Sequence, residues 1–106
     1  MVFHTGPALL DAIVLAVVAK DNGGTYGYRI TQDVRTIMDV SESTLYPVLR
    51  RLQKEKYLTI FDREYNGRNR RYYKLTELGE EKLTEYVIEW RVYSEKISGL
   101  FTRVEG

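Results

Sequence analysis

Three observations predict a mainly α fold that carries a small β-hairpin and closes on one long helix. Apolar residues recur at helical spacing through the first half of the chain, an Asn66-Gly67 pair divides two strand-like segments, and a heptad-like apolar seam runs from Leu83 to Val104. The chain has 106 residues. That length suits one small domain and leaves a lone copy only marginally able to bury its surface. We expect residues 1–75 to form one unit and 76–106 the long helix, packed together as a single compact body.

In the first helix, Leu9, Leu10, Ile13, Val14, Val17 and Val18 form a broad apolar face. Pro7 suits a first turn, and Asn22-Gly23-Gly24 ends the segment, which places the helix at about 7–20. Tyr26, Ile30, Val34, Ile37 and Met38 give the next one, at about 26–38. Ser41 offers a side-chain oxygen as N-cap of a third helix, in which Leu45, Val48, Leu49 and Leu52 share one face. Ser43, Pro47, Arg50 and Lys54 lie opposite, flanked by Thr44, Tyr46 and Arg51. Pro47 deletes an intrahelical hydrogen bond and should bend the helix.

With Asn66-Gly67 as a two-residue loop, Tyr65 pairs with Arg68 and the register follows. Ile60 then faces Tyr73 and Leu58 faces Leu75, the row expected to meet the core. On the other face Phe61 pairs with Tyr72 and Arg63 with Arg70. Like charges directly opposite are unfavourable, so that last pair implies either a face that meets an anion or a longer loop. Thr76 is the expected N-cap of the final helix, with Glu77, Glu80 and Glu81 favourable at its positive end. Leu83, Val87, Trp90, Ser94, Ile97, Phe101 and Val104 then step by four and three, widened by Tyr86, Tyr93 and Leu100. The preceding core is too small to cover a helix about 42 Å long, so its far end should pack on a partner.

Three helices followed by a basic hairpin make a winged helix-turn-helix, with the long last helix serving dimerisation. Charge supports a polyanionic partner. From Thr44 to Leu75 nine Lys or Arg face three acids, a local balance of +6, whereas residues 1–43 carry −2 and residues 76–106 carry −3. A helix in the major groove would present Arg50 and Lys54, with hydroxyls from Ser43, Thr44 and Tyr46. Arg63, Arg68, Asn69 and Arg70 of the wing would reach phosphates or the adjacent minor groove. A solvated basic helix face is the plain alternative for Arg50 to Lys56. The basic hairpin directly downstream favours double-stranded DNA.

Other classes lose ground. There is no cysteine, so disulfides, thiolate metal sites and a cysteine nucleophile are excluded. His4 is the only histidine and lies near the terminus, no His/Cys metal cluster exists, and Gly23-Gly24 lacks a phosphate-loop lysine or dinucleotide fingerprint. We expect no enzyme, metal or cofactor. The longest apolar run, Ala12 to Ala19, is far shorter than the roughly 20 residues a bilayer span needs. With Asp11 in the N-terminal region and no basic leader, the expectation is a soluble cytoplasmic protein.

These residues resemble the PadR family of bacterial transcriptional regulators. The resemblance rests on Tyr26-Gly27-Tyr28, on Ser41-x-x-Thr44-Leu45-Tyr46-Pro47-x-Leu49-x-x-Leu52, on Arg71-x-Tyr73-x-Leu75-Thr76 and on Gly79, and it spans about 9–101. It implies a homodimeric repressor of the short-tailed branch, with one long C-terminal helix per subunit and a pseudo-palindromic operator. The DNA-contacting positions it implies are Tyr26, Tyr28, Ser43, Thr44, Tyr46 and Arg50, with the basic wing. The dimer interface would use Leu10, Leu83, Val87, Trp90, Ile97, Phe101 and Val104. Some short members line a pocket at the dimer centre with an aromatic residue and take flat aromatic effectors there. By that resemblance Trp90, Tyr86 and Tyr93 would contact an effector, while dimer-core packing of Trp90 is the plain alternative. A protein-binding adaptor and a small-molecule carrier without linked DNA binding remain as other classes.

Overall fold

A computed structural model describes residues 7–105. His4, for which the sequence suggests no role, lies outside them. The elements run α1 (Pro7–Ala19), β1 (Thr25–Tyr26), α2 (Gly27–Arg35), α3 (Glu42–Lys54), β2 (Leu58–Tyr65), β3 (Arg68–Leu75) and α4 (Glu77–Glu105). This is the expected winged helix-turn-helix with a long closing helix.

The breadth of apolar residues on α1 has a structural reason, since α2, α3, α4 and β3 all pack around it. Val14, Leu15 and Val18 are fully buried and meet Ile30, Val34, Leu45, Leu49 and Leu52 in one cluster. Each large side chain buried there contributes about 2 kcal/mol of transfer free energy. Any one of them therefore outweighs a surface ion pair.

α2 stops at Arg35, three residues earlier than its apolar spacing suggests. The Thr36 hydroxyl donates to the Asp33 carbonyl at 2.6 Å, and the Thr36 amide closes on the same oxygen. That local bonding tightens the last turn and competes with helix continuation. Met38 still packs on the core, while Ile37 is left exposed.

α3 begins as expected, with the Thr44 amide donating to Ser41 Oγ at 3.3 Å, and runs on through Pro47. It ends in a Schellman motif, in which the Tyr57 amide donates to the Leu52 carbonyl and the Lys56 amide to the Gln53 carbonyl. Lys56 sits at φ 69°, the position that usually takes glycine.

The hairpin has the two-residue loop and every expected pair, from Tyr65↔Arg68 to Leu58↔Leu75. Asn66 and Gly67 both have positive φ, at 51° and 78°, as a type I′ turn requires. A third strand joins that hairpin cues do not reveal. β1 pairs with β3 through Thr25↔Tyr73 and Tyr26↔Tyr72, so the sheet order is β1-β3-β2.

Thr76 caps α4, its Oγ1 accepting from the Gly79 amide at 2.9 Å and donating to the Lys56 and Tyr57 carbonyls. Gly79 is there because nothing else fits. A Cβ at this position would lie 2.1 Å from the Tyr57 carbonyl oxygen. α4 is about 43 Å long at 1.5 Å per residue and gives the molecule its 59 Å extent. Leu83 and Tyr86 reach the core, whereas Val92, Leu100, Phe101 and Val104 stand exposed further along.

Candidate nucleic-acid interface

The β1-β3-β2 register places Tyr26, Phe61, Arg63, Tyr65, Arg70 and Tyr72 on one face of the sheet. Their side chains interleave. Arg70 lies between the rings of Tyr26 and Tyr65, its guanidinium carbon 4.0 and 3.8 Å from their centroids. Arg63 lies over Phe61 and Tyr72 at 5.4 and 5.0 Å, and those two rings stack 5.5 Å apart. Tyr72 is thereby buried on the face away from the core, with Tyr26 edge-on at 5.7 Å. The opposed Arg63 and Arg70 thus need no longer loop, because each faces an aromatic ring that attracts a cation. Guanidiniums fixed this way remain charged and lose little side-chain freedom on binding.

Beside this face a cleft of about 650 Å³ lies among β1, the start of α2, α3 and β3. Five of the expected DNA-contacting residues line it, namely Tyr26, Tyr28, Tyr46, Arg50 and Arg70. Gly27, Arg71 and Tyr73 complete it, and the sequence reading did not place them there. Tyr46 packs its ring onto the Gly27 backbone, where an added Cβ would meet it at 3.1 Å. Burial pushes the Tyr73 phenol up, and the neighbouring Arg71 and Arg50 act in the opposite sense.

Ser43 and Thr44 are exposed at the start of α3, their hydroxyls 2.9 and 3.1 Å from Ser41 Oγ. Lys54 is exposed at its end, and Arg68 and Asn69 at the wing tip. Tyr28 is exposed, and its hydroxyl accepts from Gln32 Nε2 at 2.6 Å. Arg51 departs from the expected outward face. Its Nη2 donates to Asp11 Oδ1 at 2.5 Å and its Nη1 to Glu55 at 3.4 Å. The hydrogen bond to buried Asp11 holds the guanidinium above its usual range and ties α3 to α1. Arg51 is therefore committed inside the chain.

A second cleft, of about 500 Å³, lies between α1 and α4 and is almost wholly apolar. Leu83, Val87, Trp90 and Tyr86 line it from α4, and Ile13 and Met38 close it from the other side. Tyr93 stands beside Trp90, ring centroids 6.1 Å apart, and does not line the cleft. Leu10, expected at a dimer interface, packs half-buried on the core of its own chain. Phe101 and Val104 are exposed, and Ile97 is half-buried. Among the described residues no helix is long and apolar enough to cross a membrane, and no His, Asp and Glu group could hold a metal.

The fold and its basic wing define a winged-helix transcription regulator, and comparison with known proteins narrows that class. The model of the transcriptional regulator PadR-like family matches residues 14–85. A Streptococcus mutans protein, smu.1704, is 40% identical with a TM-score of 0.84, covering 100% of this chain and 95% of its own. A PadR-like transcriptional regulator from Bacillus cereus is 29% identical with a TM-score of 0.80, covering 88% and 91%. Bacillus subtilis PadR, solved in complex with operator DNA, shares the fold at 21% identity and a TM-score of 0.67, covering 86% of this chain and 60% of that one. The chain belongs to the PadR-like family of transcriptional regulators and is not an enzyme.

Proposed function

We propose that this protein is a homodimeric repressor that binds a pseudo-palindromic DNA operator and is released by a small flat aromatic molecule. In this reading residues 1–75 are the DNA-binding unit, residues 76–106 the dimerisation helix, and the protein acts in the cytoplasm. α3 enters the major groove with Ser43, Thr44, Arg50 and Lys54, while Arg63, Arg68, Asn69 and Arg70 of the wing meet the backbone or the neighbouring minor groove. The observation that carries this is the aromatic-held arginine face of the wing, adjoining α3 across a cleft that no carboxylate lines. Family membership and the operator complex of Bacillus subtilis PadR support it.

The exposed apolar length of α4 supports a second copy as its cover, so that two wings reach half-sites about one helical turn, roughly 34 Å, apart. Trp90 and Tyr86 in the apolar cleft support an aromatic ligand there. Its effect on DNA would follow from favouring one spacing of the two wings over another.

The test is selection from a pool of random duplexes at two salt concentrations, followed by sequencing. An enriched inverted repeat whose binding weakens steeply as salt rises is the expected result. No enrichment, or salt-insensitive association, would instead favour a protein-binding winged helix.

A further inference from the structure

We propose that the cleft between α3 and the wing seats one phosphate of the DNA backbone, with Arg71 and Arg50 as its charged walls. The proposal rests on the DNA-binding reading above and assigns Arg71 a role that the expected contact residues did not include.

The cleft brings Arg50 of α3 together with Arg70 and Arg71 of β3 in the lining of one open space. None of its lining residues is acidic. Among the described residues Arg50 and Arg71 make no salt bridge, unlike Arg51, whose charge is satisfied by Asp11 and Glu55. Like charges drawn into one concavity are costly unless an anion completes the set. Arg70 is held by the rings of Tyr26 and Tyr65. Arg50 and Arg71, the latter exposed and hydrogen-bonded to the Tyr73 phenol, are therefore the charged groups left to face a ligand.

Hydroxyls complete the chemistry. Tyr28, Tyr46 and Tyr73 line the same space, and a phenol donates well to a phosphate oxygen. Tyr73 is nearly buried, so its position is set by the sheet and not by the ligand. Bidentate guanidinium–phosphate bonds with hydroxyl support are among the strongest contacts in such sites.

Geometry favours a phosphodiester over a free ion. If α3 lies in the major groove and the wing over the adjacent minor groove, the strand separating those grooves must pass between them. That path crosses the cleft. Arg50 then bonds the backbone at the edge of the same groove that α3 enters, with Ser43, Thr44 and Lys54 beside it.

The test places a single methylphosphonate, which removes one backbone charge, at each position of the selected operator in turn. Wild type is compared with Arg71→Ala, with Arg71→Gln as a second variant should the first fold poorly, and with Arg68→Ala as a wing-tip control. One position per half-site should weaken wild type and the Arg68→Ala variant about tenfold, and should change either Arg71 variant by less than about twofold. If both Arg71 variants lose as much as wild type at every position, the seat does not exist, although binding of unmodified operator would still uphold DNA recognition. Inorganic phosphate replacing chloride at constant ionic strength should leave operator binding unchanged. Phosphate that displaces operator from wild type but not from the Arg71 variants would mark a free-anion site and overturn the backbone assignment.

Discussion

The wing and the stretch of α4 from Trp90 onward both display aromatic rings, and they use them in opposite ways. On the wing, Tyr26, Tyr65, Phe61 and Tyr72 carry guanidiniums on their faces, so rings and charges complete one another within a single chain. On α4, Trp90 lines a cleft with almost no polar lining, and Phe101 stands largely exposed further along, with Leu100 and Val104 beside it on the helix. A ring under a guanidinium makes a surface that can stay in water until an anion arrives. A ring beside valine and leucine makes one that gains free energy only when something apolar covers it. On the proposed reading, the first surface waits for DNA and the second for another copy of the chain.

Ile97→Glu gives the sharpest break in that contrast. Charge placed in the α4 seam should raise the dimer dissociation constant at least about 100-fold, with the fold of the rest retained. Sedimentation velocity and circular dichroism read both quantities, and an unaltered dimer would move the interface elsewhere. Gly79→Ala strikes the joint between the two regions. The added Cβ collides with the Tyr57 carbonyl, and a loss of about 3 kcal/mol in urea unfolding at fixed protein concentration is expected. A loss below a few tenths would mean that α4 shifts freely against the wing base. Asp11→Ala should cost about 1–2 kcal/mol, less than a fully buried pair because Arg51 is 43% exposed and can turn to water. The smallest effect has the opposite sign. Lys56→Gly relieves a left-handed backbone at the end of α3 and should stabilise by about 1 kcal/mol while leaving DNA affinity unchanged.

What could be read from the chain depended on how local its cause was. The caps at Ser41 and Thr76 and the turn at Asn66-Gly67 act over a few residues, and the turn propagated a whole strand register. β1 could not be read that way, because two residues carry no periodicity and Thr25–Tyr26 become a strand only against β3. The early end of α2 was hidden because Ile37 and Met38 continue the apolar spacing into a turn. The stacking of Arg63 and Arg70 requires three strands in register, so the opposed arginines in sequence pointed only to an anion-facing surface or a longer loop, and not to the rings that hold them. Arg51 joins Asp11 across 40 positions, which no local pattern on α3 discloses. Arg71 belongs to a motif that the resemblance already included, yet its place in the cleft follows only from how β1, α2, α3 and β3 come together in the fold.

The most direct test of two surfaces with two different partners is stoichiometry. Sedimentation equilibrium of the protein with its selected operator should show two chains per duplex at saturation, with the Ile97→Glu variant binding the same duplex far more weakly. One wild-type chain per duplex, or full operator affinity in a monomeric variant, would contradict the account.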